Sequence, residues 1–137
     1  MDDTRNEDSM ELGRIQELIV VSRVDFGIYL SDSEESAEKV LLPAKQVPNG
    51  IKMGDKVEVF LYRDSKDRLI ATTNRPKVTL GEVAKLRVLE VSKIGAFLDW
   101  GLEKDLLLPF KEMTAGVETG DEVLVALYTD KSSRLCA

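Results

Sequence analysis

Short segments of the chain alternate apolar and polar residues, which is the pattern of β-strands buried on one face. In residues 94–101, one face of the predicted strand is apolar and is formed by Ala96, Leu98 and Trp100. Phe97 and Asp99 fall on the opposite face, because successive side chains of a strand point to opposite sides. An aromatic ring is therefore predicted on the polar face of this strand.

The first half of the chain contains an equivalent segment. In residues 26–31, Ile28 and Leu30 are predicted to point inward, whereas Tyr29 lies beside Ser31 on the outer face. A second outward ring thus occupies the matching position.

An internal repeat relates the two halves. Leu12-Gly13 matches Leu80-Gly81 at a separation of 68 residues, and Gly54-Asp55 matches Gly120-Asp121 at 66 residues. A two-residue deletion in the charged loop between them accounts for the change. Each unit contains about five short strands and no long amphipathic helix, which predicts an all-β chain of two tandem five-stranded OB-fold barrels.

The repeat also predicts the domain boundaries. Residues 1–11 are polar and acidic without periodicity, which predicts a disordered leader. The first barrel is expected over 12–73, a short basic linker over 74–79, and the second barrel over 80–137. Because the second unit stops earlier than the first, we expect the sequence to be part of a longer protein.

Composition excludes several functional classes. The chain has no histidine and a single cysteine, Cys136, so a zinc site, a histidine-based triad and an intrachain disulfide lack their residues. Its carboxylates form no convergent motif, and we predict no catalytic residue, metal or cofactor. No apolar run is long enough for a signal peptide or a membrane span, which predicts a cytoplasmic protein with no membrane partner.

Charge is distributed unevenly along the chain. The net charge is −6, but residues 1–11 and 31–38 each carry −4, which leaves +2 for the remainder. Residues 80–137 carry −3, so the first unit is the better candidate for contacts with phosphates. Few phosphates can be neutralised, and any binding of nucleic acid should be weak with a shallow salt dependence.

Several segments resemble the S1 RNA-binding domain. Its pattern of an aromatic strand, a Gly-Asp-x-Val strand, and a following Asp and Arg-Leu is matched in both units. The matching strands are Phe26-Gly27-Ile28-Tyr29-Leu30, Ile94-Gly95-Ala96-Phe97-Leu98, Gly54-Asp55-Lys56-Val57 and Gly120-Asp121-Glu122-Val123. The pattern departs from the family where many S1 domains carry a histidine, because Pro43 and Pro109 stand there, and Ile94 replaces an aromatic residue.

The second unit is more narrowly similar to the bacterial CvfB/YitL group, the conserved virulence factor B proteins, over 80–109 and 130–135. Proteins of that group have tandem S1-type barrels followed by a winged-helix domain, and they are RNA-binding regulators. The resemblance implies that this chain holds two such barrels and binds single-stranded RNA by aromatic stacking and modest phosphate contact, with weak sequence preference.

The candidate RNA-binding residues are three aromatic and four basic side chains. They are Phe26, Tyr29 and Phe97, the arginines Arg68 and Arg134 that open the last strands beside the aromatic strands, and Arg75 and Lys77 in the linker. Structural interpretations compete with each assignment. The rings could cover a gap in a barrel, the arginines could pair with Asp64 and Asp130, and the linker cations could serve solubility alone.

An alternative function is also consistent with the sequence. The acidic second unit and the missing histidine favour barrels that dock a protein partner, with nucleic acid bound by a domain outside this chain.

Overall fold

The computed structural model describes residues 10–112, 116–129 and 135–137. The first unit is a closed barrel with the strand order β1-β2-β3-β5-β4. Its strands are β1 (Ile15–Val24), β2 (Gly27–Ser31), β3 (Val40–Pro43), β4 (Lys56–Arg63) and β5 (Leu69–Thr72), with a short 3₁₀ helix at Ala44–Gln46 after β3. Neighbouring strands are antiparallel except β3 and β5, which pair in parallel through Leu41 and Ile70.

The core of the first unit follows from the alternation in the sequence. One residue in two points inward along each strand, and these residues form a single buried apolar cluster. It contains Leu18, Val20, Ile28, Leu30, Val40, Leu42, Val57, Val59, Leu61 and Ala71. Met10, within the predicted leader, packs against this cluster, while residues 1–9 lie outside the described residues. A bulge in β1 between Val20 and Ser22 bends this long strand so that it can pair with both β2 and β4.

Gly27, the first residue of β2, is required by a close approach of two strands. Its φ is +152°, and a Cβ atom there would collide with the carbonyl oxygen of Leu42 on β3. Gly95 has the same conformation against Leu108 in the second unit. Both glycines therefore lie within a strand pair.

The second unit repeats the arrangement as a half-barrel. Its strands are β6 (Val83–Val91), β7 (Gly95–Asp99), β8 (Leu106–Pro109), β9 (Glu122–Ala126), β10 (Tyr128–Thr129) and β11 (Leu135–Cys136), with a 3₁₀ helix at Phe110–Glu112. β8-β7-β6-β9 form one sheet, and β10 pairs with β11. The Ala137 N–H donates to the Leu107 carbonyl at 2.9 Å, which joins the end of the chain to β8. The all-β prediction of tandem OB-type units is thus confirmed.

The chain divides into two compact units between Asn74 and Arg75. The end of the predicted linker lies against the second unit, because the Lys77 N–H donates to the Trp100 carbonyl at 2.8 Å and Val78 is buried. Trp100 is itself buried, and its indole N–H donates to the Lys104 carbonyl. The inward orientation predicted for Trp100 is therefore confirmed.

Candidate nucleic-acid interface

Tyr29 is the centre of an aromatic pair on the outer face of the first barrel, in which Tyr29 is partly exposed and Phe26 is exposed. Its neighbours across the sheet are Ser22 on β1 and Leu41 on β3. Residue pairs directly opposite each other share a face, so these partly exposed side chains surround the ring. The Phe26 ring, in a side chain that is 58% exposed, lies 6.4 Å from the Tyr29 ring in an edge-to-face arrangement with an interplanar angle of 86°. The structure therefore brings these two predicted residues together.

Lys39 completes this site and was missed in the sequence. Its Nζ lies 4.9 Å from the centroid of the Tyr29 ring, within the range of a cation–π contact. The residue follows the acidic loop 31–38, and the composition of that loop hid its position directly before β3. The register of β2 with β3 places Lys39 next to the row of side chains that contains Tyr29, and sequence spacing does not specify that register.

Ser31 differs from its prediction. It is fully buried, and its hydroxyl donates to the Glu38 carbonyl at 2.7 Å. The loop between β2 and β3 passes over Ser31, since Glu38 of that loop accepts its hydroxyl. On this side of Tyr29, Lys39 is therefore the first exposed side chain.

Arg68 is exposed and bound to Asp64, as the competing structural interpretation expected. Its Nε and Nη2 each lie 3.0 Å from Oδ2 of Asp64. The other carboxylate oxygen accepts the backbone N–H groups of Lys66 and Arg68 at 2.9 Å each. Burial alone would raise the pKa of Asp64, but these hydrogen bonds and the Arg68 charge together hold the pKa below its usual value.

The expected position of the last strand was wrong. β5 lies between β3 and β4 and does not lie beside β2, because the barrel closes through the parallel pairing of β3 with β5. The register pairs Leu41 with Ile70, and Lys39 and Arg68 each lie two residues earlier on the same face. Both cations are therefore at one end of the row that contains Tyr29.

The second unit has a different set of residues around its ring. Phe97 is partly exposed, and its cross-strand neighbours are Glu90 and Leu107. Ile94 and Phe110 are 60% and 46% exposed, and the Phe110 N–H donates to the Ile94 carbonyl. In the first unit the equivalent bond joins Ala44 to Phe26. The second aromatic residue is thus the hydrogen-bond donor in this unit, whereas in the first unit it is the acceptor. Phe110 was not predicted from the sequence because it does not occupy the position equivalent to Phe26.

Carboxylates adjoin Phe97 in the second unit. Asp99 accepts the Gly101 N–H at 3.0 Å and pairs with the Lys77 Nζ at 3.2 Å. The Gly101 bond first, and then the Lys77 ammonium, lower the pKa of Asp99. Burial, followed by the charges of Asp99 and Glu90, raises the pKa of Asp105.

Three of the predicted cations lie in the linker or the second unit. Lys77 binds Asp99, Arg75 is exposed, and Arg134 lies outside the described residues. Within the described ranges, no cluster of three or more acidic or cysteine side chains could hold a metal ion. No helix in that part of the chain has the length and apolar character needed to cross a bilayer.

Comparison with known proteins places the two units in one family. The S1 domain model matches residues 12–74 and 80–137. Uncharacterized protein YitL of Bacillus subtilis is 31% identical over 140 aligned positions, which cover 97% of this chain and 45% of that protein. Conserved virulence factor B of Staphylococcus haemolyticus is 30% identical over 91 positions, covering 64% of this chain and 30% of that protein.

A solved structure has the same fold. It is a multidomain protein with nucleic acid binding domains from Streptococcus pneumoniae, with a TM-score of 0.76 and 24% sequence identity, covering 91% of this chain and 44% of that one. The chain therefore spans less than half the length of these relatives.

Proposed function

Because both halves of the chain belong to the S1 domain family, and the chain is similar to YitL and conserved virulence factor B, we propose that it is a non-catalytic, cytoplasmic module of a bacterial regulatory protein that binds single-stranded RNA. A nucleic-acid-binding role is supported by this family and by the solved relative whose domains bind nucleic acid. RNA as the ligand and stacking as the mechanism are proposed from the first barrel.

The observation that carries the proposal is the pair of the exposed Phe26 and the partly exposed Tyr29, with a cation beside it. Neither ring belongs to the buried cluster of the barrel, so both remain available to a ligand. Every base has a π-face, and an aromatic platform contributes roughly 1–3 kcal/mol per stacked base with little dependence on sequence. This accounts for the weak sequence preference that we propose.

Lys39 links stacking to phosphate binding. A base that stacks on the face of Tyr29 occupied by Lys39 must displace the ammonium group, at a cost of about 0.5–1 kcal/mol for an exposed cation–π contact. Stacking offsets this cost, and the displaced ammonium can then reach a backbone phosphate. Arg68 lies at the same end of the row, where its exposed guanidinium can meet the next phosphate while it keeps its bond to Asp64.

A titration tests the proposed function. The whole chain is added to a short fluorescein-labelled single-stranded RNA, and anisotropy is recorded at low and at high salt. We expect micromolar or weaker binding with a shallow salt slope, since few cations face the ligand. A double-stranded RNA of the same sequence is the matched control and should bind more weakly, because its bases are already stacked. Absence of binding to any single-stranded RNA at low salt would refute the proposal.

A further inference from the structure

Carboxylates replace neutral or basic residues at three equivalent positions around the two outward rings. Phe97 occupies the position of Tyr29, so the aromatic residue is retained. The first unit has Ser22, Ser31 and Lys39 where the second has Glu90, Asp99 and Asp105. The strand registers support these equivalences, because Ser22 pairs with Tyr29 as Glu90 pairs with Phe97.

The three carboxylates share one face with Phe97. Glu90 is its cross-strand neighbour on β6, and Asp99 lies two residues further along β7. The register of β7 with β8 places Asp105 opposite Asp99. The charges of Asp99 and Glu90 add to burial in raising the pKa of Asp105. The name acidic face is used below for Phe97, Glu90, Asp99 and Asp105.

Only part of this charge is balanced within the second unit. Lys77 pairs with Asp99, and Arg87 lies opposite Asp99 across the β6–β7 pair. In the described part of the chain, Glu90 and Asp105 make no ion pair. A phosphate arriving at Phe97 would therefore meet two unbalanced negative charges, which disfavours RNA there.

The first unit shows which chemical group suits the position above the ring. There the chain supplies its own cation, since the Lys39 ammonium lies over Tyr29. In the second unit Asp105 has replaced that lysine, and no cation lies over Phe97 among the residues that the structure describes. A lysine or arginine from another molecule could occupy this position, held by the ring and by the carboxylates.

An apolar surface lies at the other end of the same strand. Ile94 precedes β7, and Phe110 follows β8 and is hydrogen-bonded to Ile94. Both side chains are exposed. A ligand for the whole surface thus needs a cationic group and an apolar group within one extended segment.

We propose that the acidic face, together with Ile94 and Phe110, docks a basic peptide segment of a partner protein. A lysine or arginine of that segment lies over Phe97 between Glu90 and Asp105, and a neighbouring apolar side chain contacts Ile94 and Phe110. This inference goes beyond the proposed RNA binding and depends on the second unit alone.

The test uses the whole chain and a fluorescein-labelled synthetic peptide in which arginine and leucine alternate. The control peptide has glutamine in place of each arginine. The test protein is the double variant Glu90→Ser with Asp105→Lys, which carries the residues that the first unit has at these positions. Thermal unfolding confirms that the variant is folded before binding is compared. We expect the arginine peptide to bind the natural sequence and to bind this variant about tenfold more weakly.

Two further variants separate the contributions. Phe97→Leu keeps an apolar side chain and removes the π-face, so it should also weaken arginine-peptide binding, and thermal unfolding reports whether the unit remains folded. The reciprocal change in the first unit, Ser22→Glu with Lys39→Asp, should add a peptide site there and weaken RNA binding.

The proposal is overturned if the arginine peptide fails to bind the natural sequence, or if it binds the Glu90→Ser, Asp105→Lys variant equally well. It is also overturned if the glutamine peptide binds as tightly as the arginine peptide. A loss of RNA affinity in Phe97→Leu equal to that in Tyr29→Leu would assign the acidic face to RNA. Substitution of Tyr29 tests RNA binding by the first unit separately from peptide binding by the second unit. The proposed RNA binding and the proposed peptide docking can therefore fail independently.

Discussion

Replacement of Tyr29 by alanine separates a stacking ring from a packing ring. The Tyr29 ring lies edge-to-face with the Phe26 ring, has the Lys39 ammonium over its face and is not part of the buried cluster. Loss of the ring pair removes about 0.5–1.5 kcal/mol. Loss of the exposed cation–π contact removes about 0.5–1 kcal/mol. The free energy of unfolding should therefore fall by about 1–2.5 kcal/mol, compared with about 3–5 kcal/mol for deletion of a buried aromatic side chain.

The same substitution should weaken RNA binding even while the protein remains folded. Removal of one stacked base costs about 1–3 kcal/mol, which is a 5- to 160-fold increase in Kd. The assay is anisotropy of a labelled single-stranded RNA, measured well below the melting temperature so that both proteins are folded. Thermal unfolding of the same samples gives the stability term.

Two matched variants complete the experiment. Tyr29→Phe keeps the π-face and should leave RNA affinity unchanged within about twofold, because stacking does not need the hydroxyl. Phe97→Ala should cause a smaller loss than Tyr29→Ala, since carboxylates surround Phe97. The stacking mechanism is refuted if folded Tyr29→Ala binds RNA as the natural sequence does. A fall in stability typical of a core residue, with binding lost only through unfolding, would identify packing.

Three other outcomes are expected. Gly27→Ala should destabilise the first unit by about 2–4 kcal/mol in chemical denaturation, because the added Cβ collides with the Leu42 carbonyl. The control Gly116→Ala has no atom near the added Cβ and should leave the free energy of unfolding almost unchanged. Equal effects of the two substitutions would contradict the steric argument. Deletion of residues 1–9, which keeps Met10 in contact with the buried cluster, should strengthen RNA binding by removing like charges. Nanomolar affinity with a steep salt slope, or no change on deletion, would oppose the electrostatic account. Because the pKa of Asp64 is lowered in the folded state, its contribution to stability is present above its unfolded-state pKa and is lost as the pH falls through its folded-state pKa. The difference in stability between the natural sequence and Asp64→Asn should therefore shrink in acid. A difference independent of pH would exclude this linkage.

The fold was predictable because its determinants are local and repeated. Alternation with a period of two identified Ile28 and Leu30 as core residues and Tyr29 as an outer residue, and the repeat transferred that assignment to Phe97. Strand adjacency was not predictable in the same way. The position of β5 between β3 and β4 depends on a parallel pairing of segments far apart in sequence, which alternation within either strand does not encode.

The candidate site was predicted only as far as its rings. Lys39 reaches Tyr29 across the sheet, and a backbone hydrogen bond joins Phe110, which follows β8, to Ile94, which precedes β7. Both relations require the register of β2 with β3 or of β7 with β8, and sequence spacing does not specify a register. The net charge of the second unit indicated an acidic surface but not its position around Phe97.

That position has an energetic consequence for the second unit. Because the pKa of Asp105 is raised, the folded state holds the proton of this carboxyl group more tightly than the unfolded chain does. Stability therefore falls as the pH rises from the unfolded-state pKa of Asp105 through its folded-state pKa. Folding alone therefore gains nothing from this charge at neutral pH. A cation bound between Asp105 and Glu90 would lower that pKa again and recover the lost stability. Because ligand binding and proton release are linked, affinity for the arginine peptide should increase as Asp105 ionises, with Glu90, Asp99, Lys77 and Arg87 as the other charged groups on that face.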